Sequence, residues 1–263
     1  MDFEIAGNAA LVTASSSGLG KASAKALARE GANVVVNGRS QESLDEAVEE
    51  IEDVAAGEVV GVQADLTDAD DIERLVQTTV EEFGGLDHLV TSAGGPPSGP
   101  FLETTDEDWY EAFDLLVMSV VRTVREAADH LEADGGGTVV NITSRSVKEA
   151  IPSLVLSNSV RMSVIGLEKT LSTELAPEVR ANAVLPGPHE TSRITDLIDQ
   201  AVERGEYDSY EEGLEARGES NPLGRIGDPM ELGDTVAFLC SPRSEYINGT
   251  AIPIDGGSGN SNL

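Results

Sequence analysis

The sequence predicts an α/β fold: a doubly wound parallel sheet of about seven strands with helices on both faces, in three layers. Short Val, Ile and Leu runs alternate from end to end with segments of helical apolar period. Glycine, proline and small polar residues punctuate the joints between them. The stretch from Ala9 to Gly20 also reads as strand, tight turn and helix start.

In order, Leu11 and Val12 end the first strand, and Leu19, Ala22, Ala26 and Leu27 then recur at helical spacing. Val34, Val35 and Val36 make the second strand, followed by one apolar helix face of Leu44, Ala47, Val48 and Ile51. Val59, Val60 and Val62 form a third strand ending at Asp65-Leu66, and Ile72, Leu75, Val76, Thr79, Val80 and Phe83 mark the next helix. Leu89 and Val90 make a fourth strand that stops before Ser92-Ala93-Gly94, and the segment from Pro96 to Pro100 must be loop. One long helix is expected over about 106–130, with Tyr110 packing beside Trp109. A fifth strand at 138–144, a helix at about 156–175 and a sixth strand at 181–186 come next. The last helix begins near Pro229, which suits a first-turn proline, and Ile252 and Ile254 close the sheet.

In this architecture, function belongs at the carboxyl ends of the strands. The small residues Ala14 to Gly20 let backbone approach a ligand closely, and the helix they open offers free N–H groups and a positive dipole end. That is a seat for a diphosphate. The alternative is an ordinary strand-to-helix connection.

Composition narrows the partners. Acidic residues number 48 against 17 basic, for a net charge of −31 spread along the chain. Such a surface repels nucleic acid and anionic lipid. It suits the cytoplasm of a halophile, where molar salt shortens the Debye length to a few ångströms; an acidic mesophilic protein is the alternative. No apolar run reaches membrane-span length and the start has no leader pattern, so a cytoplasmic protein is expected. Cys240 is the one cysteine, and the three histidines, His88, His130 and His189, lack ligand spacing, so no metal site is expected.

Taken together, the strand ends resemble the short-chain dehydrogenase/reductase family across essentially the whole chain. The family's Thr-Gly-x-x-x-Gly-x-Gly turn is matched by Thr13, Gly18 and Gly20, with Ala14 in place of the first glycine. Its Asn-Asn-Ala-Gly segment corresponds to Thr91-Ser92-Ala93-Gly94, and the closing stretches NAVLPGPHET, PLGRIGDPMELGDTVAFL and YINGTAIPIDGG also agree. The loop AGGPPSGPF and the run VLSNSVRMSVIGL resemble a divergent branch grouped with 3-oxoacyl-acyl-carrier-protein reductases. The resemblance implies a Rossmann-type domain over 1–263 with a substrate lid inserted at about 190–222. It also implies a nicotinamide cofactor contacted by Thr13, Ser15, Ser17, Gly18, Leu19, Gly20, Arg39, Asp65, Leu66, Ser92, Ala93, Gly94, Arg161, Pro186 and Gly187. Gly38 stands where an acidic residue would select NAD, and Arg39 comes next, which favours NADP, with NAD the alternative; Arg39 paired with Glu42 or Asp45 is the competing reading.

The catalytic positions depart from the family. Ordinary members carry a Ser, a Tyr thirteen residues later and a Lys four after that, with an Asn earlier in the long helix. Here these positions hold Ser144, Ser157, Arg161 and Leu116. A serine hydroxyl is far too weak an acid to replace a phenol with a pKa near about 10. Arginine keeps the charge and can hold ribose hydroxyls, but it cannot relay a proton. His189 and Lys148 are candidate proton donors, or solvent-facing loop residues. In the lid segment, Ile194, Leu197, Ile198 and Val202 give an apolar face for a hydrophobic or acyl substrate, or for plain core. The expectation is an oxidoreductase acting on a small carbonyl or alcohol, with Ser144 polarising the carbonyl. The competing expectation is a dinucleotide-binding protein without turnover. The resemblance further implies a homotetramer or homodimer.

Overall fold

A computed structural model of the chain describes residues 2–133, 135–219 and 221–261; the side chains of Arg193, Asp196, Leu197 and Gln200 lie outside the described set. Each short apolar run becomes a strand: β1 (Ala9–Val12), β2 (Asn33–Gly38), β3 (Val59–Gln63), β4 (His88–Thr91), β5 (Gly137–Ile142), β6 (Val179–Pro186) and β7 (Ala251–Ile254). All pair in parallel, in the order β3-β2-β1-β4-β5-β6-β7. Parallel strands need crossovers, and the helices that supply them cover both faces.

Side-chain alternation splits the core in two. Leu11, Val35, Leu89 and Val139 face one layer with α3 (Ala69–Phe83), α5 (Ser119–Leu131) and α6 (Val155–Glu174). Val12, Val36, Val90 and Val140 face the other, with α1 (Gly18–Arg29) and α9 (Pro229–Cys240). The helix α2 (Gln41–Glu52) flanks β2 and β3, buried through Leu44, Ala47 and Ile51. Local signals set the helix starts: Asp68 caps α3, and Asp228 with Glu231 forms a capping box on α9 around Pro229.

The long helix does not run unbroken. It consists of α4 (Asp106–Phe113), a π-helical turn at Asp114–Met118, and α5. A π turn inserts one residue and so rotates the facing of every helical residue beyond it; here Leu116 and Val117 enter the core. Tyr110 corrects the expectation of packing, since it is 76% exposed; it is Trp109 that packs, with its indole N–H donating to Thr104 Oγ1.

The segment expected as a lid, about 190–222, holds two helices, α7 (Ser192–Glu203) and α8 (Tyr210–Gly218). Ile198 is fully buried and Ile194 and Val202 half-buried, while Leu197 falls outside the described side chains. Among the described residues no helix is long and apolar enough to cross a membrane, and no cluster of His, Cys, Asp or Glu is arranged to hold a metal.

Glu168 on α6 is 1% exposed, and its Oε1 has no hydrogen-bond partner among the described residues. Burial pushes its carboxyl up to about 7, against the opposing pull of Lys169. A folded pKa above the unfolded one gives stability that is full below about 4.5 and lost as pH climbs to about 7. Glu168→Gln is therefore expected to raise Tm by several degrees in mildly alkaline buffer and to flatten its fall from acid to neutral pH. An unchanged alkaline Tm in thermal melts would contradict this.

Candidate active site

The strand order reverses between β1 and β4, and a cleft of about 430 Å³ opens over their carboxyl ends. One wall is the turn into α1. Ala14 adopts a left-handed conformation (φ 47°), which costs a residue with a β-carbon about 1–2 kcal/mol. Asn37 holds it there. Its Oδ1 accepts from Ala14 N–H at 2.6 Å, while its Nδ2 donates to the Ala64 carbonyl at 3.0 Å. Motif spacing does not single out Asn37, although an asparagine closing a Val34-Val35-Val36 run is a visible break in an apolar strand.

Two expected cofactor contacts are corrected. Ser15 is wholly buried beneath the turn, its Oγ donating to the Val12 carbonyl at 2.6 Å and accepting from Asn37 N–H at 2.8 Å. The left-handed residue before it turns Ser15 inward, and Ser16 lines the cleft instead. Thr13 is 2% exposed; its Oγ1 donates to the Ser92 carbonyl at 2.7 Å and accepts from Ser92 N–H at 2.8 Å, stitching β1 to β4.

The remaining cleft residues come together. Ser17, Gly18, Leu19 and Gly20 line it from the turn, Arg39, Asp65 and Leu66 from the ends of β2 and β3, and Ser92, Ala93 and Gly94 from the end of β4. Hydrogen bonds from Thr67 N–H and Oγ1 hold the Asp65 carboxyl below its ordinary range. Leu115, in the π turn, also lines the cleft, whereas its neighbour Leu116 is buried in the core.

Beside the cleft lies a cavity of about 330 Å³ that gathers Ser144, Ser157, Arg161, Pro186, Gly187 and His189. Ser144 Oγ accepts from Ser146 N–H at 3.1 Å and caps the short turn Arg145–Val147. Ser157 Oγ shares a 3.1 Å hydrogen bond with Ser146 Oγ, a buried hydroxyl that no spacing in the sequence marks. Arg161 borders both cavities, 9% exposed, with Nη2 donating to the Gly94 carbonyl at 3.1 Å. Among the described residues no carboxylate acts on it, and burial pushes its guanidinium down to about 10.

The candidate proton donors are placed less favourably. His189 is 4% exposed; its Nδ1 lies 3.0 Å from the Gly187 carbonyl, and its ring rests against Gly227, where a Cβ would come 2.7 Å from Cδ2 and 2.9 Å from Nε2. The ring is therefore a packed wall of the cavity and does not hang free in it. Lys148 is exposed and lines a separate cavity of about 220 Å³ with Pro253, Asp255 and Gly259, which removes it from the Ser144 site.

A family model described as enoyl-(acyl carrier protein) reductase matches residues 13–259. Human dehydrogenase/reductase SDR family member 4 is 34% identical over 256 residues, covering 97% of this chain and 88% of that one. The chain belongs to the short-chain dehydrogenase/reductase family. The oxidoreductase YvrD of Bacillus subtilis (strain 168) is 32% identical over 261 residues, 98% of each chain. The solved L-sorbose reductase of Gluconobacter frateurii, complexed with NADPH and L-sorbose, superposes with a TM-score of 0.93 at 30% identity, over 99% of this chain and 100% of that one.

Within this short-chain dehydrogenase/reductase, the cleft fits a dinucleotide. A Cβ on Gly18 (φ 58°) would meet nothing nearer than 3.7 Å, and one on Gly94 nothing within 4 Å, so both backbones are left bare on the cleft side. The turn opens α1, whose first N–H groups have no intrahelical acceptor. Arg161 closes the same cleft with a charge that no described residue pairs.

Proposed function

We propose that the protein is a nicotinamide-dependent oxidoreductase, NADP-linked, that interconverts a small carbonyl compound and its secondary alcohol. The observation that carries this reading is the cleft over the β1/β4 reversal, walled by Ser16 to Gly20 and closed by Gly94 and Arg161. Ser17 to Gly20 would take the diphosphate, Asp65 and Leu66 the adenine, and Ala93, Gly94 and Arg161 the nicotinamide half. The bound cofactor supplies the hydride.

This chain's own residues orient the substrate. Ser144 Oγ has accepted a backbone N–H, so its proton is free to donate to the carbonyl oxygen. Ser157, tied to Ser146, adds a second hydroxyl to the same wall. Neither hydroxyl is an acid at neutral pH, and Arg161 keeps its proton. With His189 packed against Gly227, water is the proton source. A carbonyl polarised at this wall would lack the general-acid acceleration of about 10²–10⁴ that a tuned donor supplies. Absorbance of NADPH followed against a panel of ketones and oxoacyl thioesters in molar salt tests the reading, and slow but saturable oxidation supports it.

Leu116, Ser157 and Arg161 at the family's proton-handling positions favour a second reading, a dinucleotide-binding protein without turnover. Binding of NADPH with no oxidation on any member of the panel would select it.

Arg39 supports NADP over NAD. It is exposed at the end of β2, and among the described residues it joins no ion pair; Asp45 accepts from Gln41 instead, at 2.7 Å. Gly38 beside it leaves room for Ser16, since a Cβ there would lie 2.7 Å from Ser16 Oγ. Arg39→Ala is expected to weaken NADPH about tenfold while leaving NADH unchanged, because a charge-assisted contact to a phosphate is worth about 1.5–3 kcal/mol. Calorimetric titration with both cofactors checks this, and equal losses for the two would contradict it.

A further inference from the structure

Among the described residues, Arg161 is set apart from the other arginines by its burial. Arg29, Arg74, Arg122, Arg145, Arg204, Arg225 and Arg243 each pair with a carboxylate, all with side chains more exposed than Arg161. Arg180 spends its donors on the carbonyls of Ile247, Leu239 and Ser241. Arg161 is 9% exposed and makes a single hydrogen bond, from Nη2 to Gly94 O, among the described residues. The chain has 48 acidic residues, yet none among the described residues supplies its counter-charge.

A buried cation without a counter-charge is costly unless a ligand brings the charge. Neutral ribose hydroxyls answer the hydrogen-bonding capacity of a guanidinium but leave its charge unmet. The planar fork matches a carboxylate in two parallel hydrogen bonds. Arg161 lines the cavity beside the cleft together with Ser144 and Ser157, and Leu19, Pro96, Leu154 and Ile194 supply apolar surface. A volume of about 330 Å³ admits a short chain carrying both groups.

The geometry points to a substrate that carries its own carboxylate: a short oxo acid, or the hydroxy acid formed from it, with Arg161 holding the carboxylate and Ser144 the neighbouring carbonyl oxygen. Reduction adds a hydride to the carbonyl carbon and a proton from water to its oxygen, the nicotinamide being oxidised in the same step. The carboxylate and its pairing with Arg161 persist through the reaction. This rests on the oxidoreductase reading for its chemistry, although not for the binding of the acid.

Calorimetry with acetoacetate and with its neutral methyl ester, each with and without NADP⁺, tests it. The expected result is acetoacetate bound about tenfold or more tighter than the ester, a preference lost in Arg161→Met and partly kept in Arg161→Lys. Equal affinity of the wild-type protein for acid and ester overturns the inference whatever the variants do. A preference for the acid that survives in folded Arg161→Met also overturns it. Should NADP⁺ fail to bind while acetoacetate still binds through Arg161, the oxidoreductase reading fails and the carboxylate site stands.

Discussion

Gly20→Ala is expected to weaken dinucleotide binding by about 100-fold or more. An added Cβ would sit 2.3 Å from the Ala14 carbonyl oxygen, 3.0 Å from its carbon and 3.1 Å from Ser15 Cα. All three are backbone atoms that no rotamer change can move. The turn would have to open, and opening it pulls Ala14 off Asn37 and Ser15 off Val12, the contacts that hold the left-handed alanine in place. The N–H groups at the start of α1 then lose their common aim, which is what makes a helix N-terminus an anion seat. Gly166→Ala is the control: it lies within α6, nothing stands within 4 Å of its Cβ position, and alanine there is expected to stabilise the helix by about 1 kcal/mol. Titration with NADPH and thermal melts of the two variants check both expectations. Undiminished binding in Gly20→Ala would contradict the role given to the turn.

The double change Ser157→Tyr with Arg161→Lys is expected to raise turnover of a neutral ketone by about 100-fold over the natural protein. A phenol at position 157 would project from the same helix face as a lysine at 161, four residues on, into the cavity that already holds Ser144. The ammonium would favour the ionised phenol and so bring its pKa toward the working range. Ser157→Tyr alone is expected to gain less, because a guanidinium held at Gly94 carries the charge to a different point. The loss of Asn at the Leu116 position stays uncorrected, which limits the gain. Steady-state kcat on a neutral ketone separates these outcomes. No gain in a folded, NADPH-binding double variant would show that proton supply does not limit this site.

The strands were legible because a parallel sheet buried on both faces demands continuous apolar runs, as in Val34-Val35-Val36 and Val139-Val140. Pro229 likewise announced α9 through its own chemistry. What escaped depends on direction in space. Ser15 and Ser16 are alike in sequence, and only the positive φ of Ala14 decides which faces the ligand. The π turn at Asp114–Met118 has no proline or glycine to mark it, yet it decides that Leu115 and not Leu116 lines the cleft. That Ser157 and Arg161 share one face followed from their spacing of four along α6, while the resemblance implied Ser144 beside them. That Arg161 is buried without a counter-charge could not, because burial is set by the packing of Gly94 and the cavity walls across it.

Calorimetric titration of the natural protein with NADPH, in molar potassium chloride, bears most directly on the claim that the turn from Ala14 to Gly20 seats a nicotinamide dinucleotide. One saturable site per chain, lost in Gly20→Ala, is the predicted result. A protein that melts cooperatively and yet takes up neither NADPH nor NADH would contradict it.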